Sequence, residues 1–237
     1  MTTTATLHYL YDPLCGWCYA AAPLVQAAQA VPGLALALHA GGMMAGAQRQ
    51  PVTPALRNYV MPHDQRIHAL TGQPFGDAYF NGLLCDPQAV FDSEPPITAI
   101  LAAEALSAGA PQSLAPAMLK RIQHAHFVEG RQIARPEVLA TLAAEVGMAS
   151  QAFDAAYRAA AGALVARHID ASRRMLGALG GRGFPTFALQ TDDGFRVLDF
   201  GPYLGKPAEW QASIAQQASL NDGGGASPVC GPDGCVL

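Results

Sequence analysis

Two cysteines separated by two residues are the part of this sequence best suited to chemistry. Cys15 and Cys18 follow a short apolar run, Leu7–Tyr11, and precede an alanine-rich stretch. We expect the run to be a strand and the stretch to be a helix, which places Cys15 at the helix N-terminus. There the unpaired backbone N–H groups and the positive end of the helix dipole favour the thiolate form of a cysteine. The spacing therefore predicts that Cys15 is the nucleophile of thiol–disulfide exchange, and that Cys18, one helical turn further on, resolves the mixed disulfide.

The same spacing is also half of a typical zinc site. A structural zinc ion would need two more ligands, and the other closely spaced cysteines are Cys230 and Cys235, near the C-terminal end. Nothing in the sequence requires these four thiols to meet. Redox chemistry is therefore the favoured interpretation, and no metal site is predicted.

A proline opens a second apolar run, Gly183–Leu189. A strand tolerates proline at its first residue. If the peptide bond between Phe184 and Pro185 is cis, the backbone of Phe184 is exposed and can pair with an extended peptide lying across Cys15. The alternative is an ordinary trans proline at the start of a strand, since only about 5 to 6% of X-Pro bonds are cis.

Together, the segments Tyr11–Cys18 and Gly181–Phe187 resemble the active-site and cis-proline segments of the thioredoxin superfamily, and more closely of its DsbA-like branch. Residues 127–131 and 133–139 are similar to part of the helical insertion of that branch. The resemblance covers most of the chain and is strongest for cytoplasmic FrnE-type and protein-disulfide-isomerase-like members. It implies that Cys15 is the attacking thiol, that Cys18 is the resolving thiol and that Pro185 is a cis proline facing them.

The resemblance also indicates where a substrate would lie. The residues between the cysteines are Gly-Trp, where the strongly oxidising periplasmic members have Pro-His, and Trp17 is either a substrate platform or a packing residue. Met43 and Phe75 lie in two loops rich in helix-breaking residues, 41–50 and 71–76. If the insertion covers the thiols as it does in relatives, these side chains line the substrate groove together with Phe184. The alternative is that they pack beneath the insertion.

The remaining pattern predicts the elements that hold these residues. Cys18–Ala30 is predicted as a helix and Leu34–His39 as a second strand, which gives the βαβ half of a thioredoxin fold. Strands over 186–190 and 195–200, joined by a hairpin, and a helix over 206–220 give the other half. Apolar residues that recur every three or four positions predict five helices between the halves, at 97–108, 114–127, 137–146, 151–160 and 164–179. We therefore predict an α/β protein in which a thioredoxin fold (1–42 and 181–220) is split by a helical insertion domain (43–180).

Composition sets limits on the class of protein. The chain has 237 residues, of which 51% are hydrophobic and 14% charged, so a disordered chain is excluded. A net charge of -4 gives no reason to expect nucleic acid or an anionic membrane as a partner. No apolar run approaches the about 20 residues of a membrane span, and Met1–Thr6 lacks the basic residue of a signal peptide. We expect a cytoplasmic enzyme.

In the cytoplasm glutathione keeps most thiols reduced. The expected activity is therefore reduction or isomerisation of protein disulfides, or of mixed disulfides with glutathione. No prosthetic group is expected, and glutathione or a thioredoxin-type protein is the candidate electron donor.

Two other classes of function also fit the sequence. Relatives of glutathione transferase kappa and of hydroxychromene carboxylate isomerase share the split fold and bind glutathione, but they typically have serine at the position that matches Cys15. A glutathione-dependent transferase or isomerase of small aromatic molecules is therefore the second interpretation. A peptide-binding chaperone with a redox switch is the third.

The last residues, 221–237, carry a second cysteine pair after a glycine-rich linker. A predicted β-turn between Cys230 and Cys235 brings these thiols toward each other. Our hypothesis is that this pair exchanges with Cys15 and Cys18 and relays electrons to or from a partner. The alternatives are a metal-binding tail or a dispensable end. The fifth cysteine, Cys85, is expected to be a small buried core residue.

Overall fold

A mixed sheet and a set of helices inserted between its strands make up the protein. The computed structural model describes residues 5–109 and 113–219. The strands in this part are β1 (Ala5–Tyr11), β2 (Leu34–Ala40), β3 (Gln50–Pro51), β4 (Val90–Phe91), β5 (Thr186–Thr191) and β6 (Gly194–Leu198). The α-helices are α1 (Gly16–Ala20), α2 (Ala22–Gln29), α3 (Pro54–Thr71), α4 (Glu94–Leu106), α5 (Ala115–Phe127), α6 (Pro136–Glu145), α7 (Ser150–Ala160), α8 (Ala163–Ala178) and α9 (Pro207–Ser219).

The main sheet has the strand order β2-β1-β5-β6. β1 and β2 are parallel, with Ala5 opposite Leu34, and α1 and α2 connect them. β5 runs antiparallel to both β1 and β6, and the β5–β6 turn is the predicted hairpin. Phe187 at the centre of the sheet is fully buried and stacks on Tyr9. The mixed α/β fold with a thioredoxin-type sheet is thus confirmed.

The predicted helix Cys18–Ala30 is two helices, because Pro23 interrupts it. α1 ends at Ala20 and α2 begins at Ala22, with Pro23 in its first turn. A proline has no N–H to donate to the carbonyl four residues earlier, which here belongs to Tyr19. The side chain of Gln73 donates to that carbonyl instead, from Nε2 at 2.7 Å.

Between β2 and β5 the chain is mainly helical, and each of the five predicted helices is present with ends within three residues of the prediction. The 18-residue helix α3 is an addition to that set. It begins after Thr53, whose side chain accepts a hydrogen bond from the N–H of Leu56 at 3.1 Å, and it ends at Gly72 with φ of 70°. Both ends follow the usual rules for helix caps. Among the described residues no helix is long and apolar enough to cross a membrane.

Side chains of α8 join the helical segment to the end of β2. Arg173 donates from its guanidinium to the carbonyls of Gly41 and Gly42, at 2.7 and 2.6 Å. His168 accepts the N–H of Ala40 at 3.0 Å. The residues just after β2, which lead to Met43, are therefore held from outside the sheet.

Candidate active site

Cys15 lies at the N-terminus of α1, as the sequence predicts. Its backbone is extended, with φ of -83° and ψ of 116°, which is the usual conformation of a residue that caps a helix. Its Sγ accepts the N–H of Cys18 at 3.3 Å. A donor aimed at the sulfur from the first helical turn stabilises negative charge there.

Cys18 is the more deeply buried thiol. Its side chain is 0% exposed, against 7% for Cys15. Burial raises the pKa of the Cys18 thiol well above its usual value, and the neighbouring Cys15 raises it further. The backbone N–H of Asp12 donates to Cys18 Sγ at 3.5 Å. Cys18 is therefore the thiol that holds its proton more strongly, and Cys15 is the more accessible of the two.

The second predicted segment lies directly against Cys15. The peptide bond between Phe184 and Pro185 is cis. Cys15 Sγ is 3.6 Å from the carbonyl oxygen of Phe184, although 169 positions separate the two residues in the sequence. The ring of Phe184 packs on Gly41, where a Cβ atom would lie 1.9 Å from the ring and so has no room. The end of β2, the start of α1 and the start of β5 therefore meet at one thiol.

A cavity of about 160 Å³ opens beside Cys15. Trp17 and Met43, both predicted to contact substrate, lie in its wall, and so does Met44. Trp17 is half-buried, and the Arg66 guanidinium lies 5.9 Å from the centre of its ring. The wall is mostly apolar, which suits a site that accepts the side chains around a disulfide.

The structure does not bring Phe75 to this cavity. Its ring contacts those of Tyr19 (5.4 Å between centroids) and Phe127 (5.6 Å) in an aromatic cluster beneath the helical segment. Phe75 therefore lies where we expect a packing residue, which is the alternative to a substrate contact.

The sequence has three more cysteines, of which Cys85 lies in the described part of the chain. The expectation for Cys85 is wrong, because its side chain is exposed: Leu83 and Leu84 of the same 3-10 turn occupy the core, and the turn directs the third residue outward. Cys230 and Cys235 lie outside the described residues.

Asp12, three residues before Cys15, is a buried carboxylate that the sequence analysis does not single out. Its Oδ1 accepts the N–H of Leu14 at 2.9 Å and the hydroxyl of Ser93 at 3.0 Å, and its Oδ2 accepts the N–H of Met43 at 2.5 Å. Burial raises the pKa of Asp12, and these donors offset part of the rise. Asp12 therefore ties the active-site turn to the Met43 loop and to the N-terminal end of α4.

Helix α3 supplies a wall of the cavity that the sequence analysis also misses. Val60, Asp64 and Ile67 line it from one helical face. Asp64 accepts the hydroxyl of Tyr79 at 2.9 Å, and burial raises its pKa to about 7. The repeat of apolar residues along this face was the available signal, but the carboxylate at 64 and Pro62 interrupt it.

Among the described residues, no three His, Cys, Asp or Glu side chains are grouped so that they could hold a metal ion. The site is thus a pair of thiols, a backbone carbonyl and a largely apolar cavity.

Known structures resemble this chain over about nine tenths of its length. The cytosolic disulfide reductase DsbM from Pseudomonas aeruginosa is 55% identical, with a TM-score of 0.84 over 91% of this chain and 99% of that one. A structure of DsbM with GSH is 53% identical, with a TM-score of 0.83 over 91% of this chain and 100% of that one. A candidate protein disulfide isomerase from Nitrosomonas europaea is 20% identical, with a TM-score of 0.73 over 90% and 98% of the two chains, which shows the fold alone.

No match to this chain was found among curated proteins. The family model of the DSBA-like thioredoxin domain matches residues 6–200, a range that begins in β1 and ends just after β6. The match includes both active-site segments and all of the helical segment between them. The chain therefore belongs to the DSBA-like thioredoxin domain family.

Proposed function

We propose that this protein is a thiol–disulfide oxidoreductase that works mainly as a reductase or isomerase of protein disulfides and of mixed disulfides with glutathione. One observation carries the proposal: Cys15 Sγ accepts the N–H of Cys18 at 3.3 Å, lies 3.6 Å from the carbonyl oxygen of Phe184, and lines a cavity. The nucleophile, the resolving thiol and a peptide-binding backbone group are thus within reach of one substrate disulfide.

The two thiols act one after the other. The Cys15 thiolate attacks one sulfur of the substrate disulfide, so that a Cys15–substrate disulfide forms and the other substrate sulfur leaves as a thiolate. Cys18 then loses its proton and attacks Cys15 Sγ, which releases the second substrate sulfur and leaves a Cys15–Cys18 disulfide. The substrate gains two electrons and two protons. A thiol reductant returns the pair to the dithiol form.

Burial of Cys18 sets the order of these steps. Because burial raises the pKa of the Cys18 thiol, this residue does not compete with Cys15 for the substrate. It becomes the attacking group only once Cys15 has formed a mixed disulfide and no longer adds negative charge beside it.

Glutathione is the reductant that we propose for this chain, and the cytosol is the compartment. The support comes from the relative, which is described as a cytosolic disulfide reductase and has a structure with GSH. Trp17 and Met43 in the cavity wall, with the backbone of Phe184, are the proposed substrate contacts. Pro185 fixes the position of the Phe184 carbonyl.

Replacing each cysteine separately tests the proposal. Cys15→Ala should abolish glutathione-coupled reduction of insulin or of a glutathionylated peptide, because the nucleophile is lost. Cys18→Ala should form a stable mixed disulfide through Cys15, detectable by mass spectrometry, but should not turn over a protein disulfide. Cys85→Ala is the matched control, since Cys85 is an exposed thiol outside the cavity. Turnover by Cys15→Ala would contradict the assignment.

Assays of the wild type and of Cys18→Ala also distinguish the proposed function from its two alternatives. A kappa-like transferase would conjugate glutathione to an aromatic electrophile with Cys18→Ala as fast as with the wild type. A redox-switched chaperone would suppress aggregation of an unfolded protein without turnover of disulfides. The proximity of the two thiols favours dithiol chemistry over both.

We also propose that Cys230 and Cys235 exchange with the Cys15–Cys18 pair. Their spacing and the glycine-rich linker in the sequence support this relay. The double variant Cys230→Ser, Cys235→Ser should slow turnover with at least one electron donor while leaving the first attack by Cys15 unchanged. Unchanged turnover with glutathione and with thioredoxin would contradict the relay.

A further inference from the structure

Asp64 places a carboxyl in the wall of the cavity, beside the nucleophile. We propose that Asp64 is the proton donor to the sulfur that leaves when Cys15 attacks a substrate disulfide, and the proton acceptor when the reaction runs in reverse. This inference rests on the proposed function and adds a third chemical group to its site.

The position of the carboxyl on α3 is defined by its contact with α1. A Cβ atom on Gly16 would lie only 2.5 Å from Asp64 Oδ1, so this oxygen touches the residue that follows Cys15. Asp64, Gly16 and Cys15 line the same cavity. A disulfide attacked by Cys15 in this cavity therefore lies beside the wall of α3 that carries Asp64.

The two carboxyl oxygens have different surroundings. Oδ2 accepts the hydroxyl of Tyr79 at 2.9 Å, whereas no donor among the described residues reaches Oδ1. Asp64 is only 3% exposed. Oδ1 is not among the buried polar atoms that lack a partner in the described part of the chain, so solvent reaches it although the residue as a whole is buried. An accessible carboxyl oxygen in the mostly apolar wall formed with Val60 and Ile67 is available to a substrate in the cavity.

Burial leaves the Asp64 carboxyl able to hold its proton near neutral pH. Burial raises its pKa to about 7, and the Tyr79 hydroxyl offsets part of the rise. The other titratable groups around it are Cys15 from α1, His126 from α5 behind the Tyr79 ring, and Tyr59, His63 and Arg66 from α3 itself. Of these groups, Cys15 is the one that reacts: it attacks as a thiolate and ends the step in a neutral disulfide.

The proton that the first step consumes is then supplied from within the site. The S–S bond of the substrate breaks as the Cys15–sulfur bond forms, and the electron pair goes to the departing sulfur. That sulfur takes the proton of the Asp64 carboxyl, leaving a thiol and a carboxylate. Solvent or the next thiol to enter the cavity returns the proton to Asp64.

Two neutral disulfides that differ in their leaving groups test this role. The alkyl thiolate from bis(2-hydroxyethyl) disulfide is a poor leaving group that needs a proton, whereas 2,2′-dithiodipyridine releases a stable thione that does not. In single-turnover experiments with the reduced enzyme at pH 6.5, Asp64→Asn should slow the attack on the alkyl disulfide roughly tenfold or more. The attack on the pyridyl disulfide should stay near the wild-type rate. Asparagine keeps the size of the side chain and an acceptor for Tyr79, and the matched control is Asp154→Asn on the exposed face of α7.

The pH dependence supplies a second measurement that does not depend on Asp64→Asn folding well. The advantage of the wild type on the alkyl disulfide should disappear as Asp64 ionises above about pH 7. Tyr79→Phe removes the donor that lowers the pKa of Asp64, so the loss should move to higher pH.

The proposal would be overturned if Asp64→Asn slowed the reactions of both disulfides equally. It would also be overturned if Tyr79→Phe did not shift the pH dependence of the rate on the alkyl disulfide. Cys15→Ala separates the two levels of inference. If it is inactive while Asp64→Asn behaves like the wild type, the proton donor is wrong and the proposed function stands.

Discussion

At the scale of single residues, His126 is a buried imidazole without a hydrogen-bond partner. Its side chain is 1% exposed, neither ring nitrogen has a partner among the described residues, and the ring contacts Tyr79, Phe91 and Phe127. Burial lowers its pKa from 6.5 to about 3. The folded protein therefore keeps His126 neutral at a pH where the unfolded chain protonates it.

This difference makes stability depend on pH in a defined direction. The contribution of neutral His126 is complete above pH 6.5 and is lost as the pH falls from 6.5 toward about 3, because the unfolded state then binds a proton that the folded state excludes. His39 acts in the same direction, with its pKa lowered to about 4. Asp64 acts in the opposite direction, since its pKa is raised to about 7 and the folded state binds the extra proton.

His126→Phe should remove part of the acid sensitivity. We expect the loss of unfolding free energy between pH 7 and pH 5 to be smaller in the variant by about 2 kcal/mol. The variant should equal or exceed the wild type at pH 7, since two unpaired polar atoms leave the core. Urea unfolding at both pH values measures this, with His63→Phe, an exposed residue of α3 at the cavity, as the control. The same pH dependence in all three proteins would refute the assignment.

At the scale of elements, the break between α1 and α2 connects the first helix to the loop after α3. Pro23 cannot give the carbonyl of Tyr19 the N–H that residue 23 of an unbroken helix would supply, and Gln73 donates to this carbonyl at 2.7 Å. The hydroxyl of Tyr19 in turn donates to the carbonyl of Pro74 at 2.9 Å. Two hydrogen bonds between the same short segments hold the loop against the helix that carries Cys15.

A double-mutant cycle tests this explanation. Gln73→Ala should destabilise the protein by about 1 to 2 kcal/mol, because it removes the side-chain donor of the Tyr19 carbonyl. With Pro23→Ala the N–H of residue 23 can take over that carbonyl, so the cost of Gln73→Ala should fall by at least about half. Urea unfolding of the four proteins gives the coupling energy. Equal costs in the two backgrounds would show that Gln73 stabilises the fold in another way.

The helices that were predicted correctly differ from α3, which was missed, in the regularity of their apolar pattern. In the five predicted helices of the insertion, apolar residues recur every three or four positions, so a local pattern determines them. In α3 the inward face carries Asp64, and Pro62 lies in the middle of the helix. A side chain placed for the cavity rather than for packing breaks the pattern that sequence analysis reads.

The same reasoning applies to the active site. The spacing of Cys15 and Cys18 and the position of Pro185 are local and were visible in the sequence. The partners of Asp12 lie at Met43 and Ser93, up to 81 positions away, and only the folded chain brings them together. The exposure of Cys85 was likewise decided by which neighbours occupy the core.

At the scale of the whole molecule, the sheet and the helical segment share polar contacts at the active site. Asp12 binds Met43 and Ser93, and Arg173 binds the carbonyls of Gly41 and Gly42. Buried hydrogen bonds of this kind are lost on both sides when either part unfolds, and each leaves an unsatisfied group. Separate unfolding of the helical segment would therefore expose the active site. It would also leave the Asp12 side chain without the donors of Met43 and Ser93.

We therefore expect the two parts to unfold in one cooperative transition. In the variant Trp17→Phe the remaining tryptophan, Trp210, reports on the sheet, because it is 0% exposed and contacts the ring of Phe187. Far-ultraviolet circular dichroism reports mainly on the helical segment, since most helical residues lie between 54 and 178. Urea unfolding followed by both signals should give the same midpoint and slope, as a two-state transition requires. A circular dichroism midpoint clearly below the fluorescence midpoint would mean that the Asp12 and Arg173 contacts do not couple the parts, and that the cavity wall carrying Asp64 opens before the sheet does.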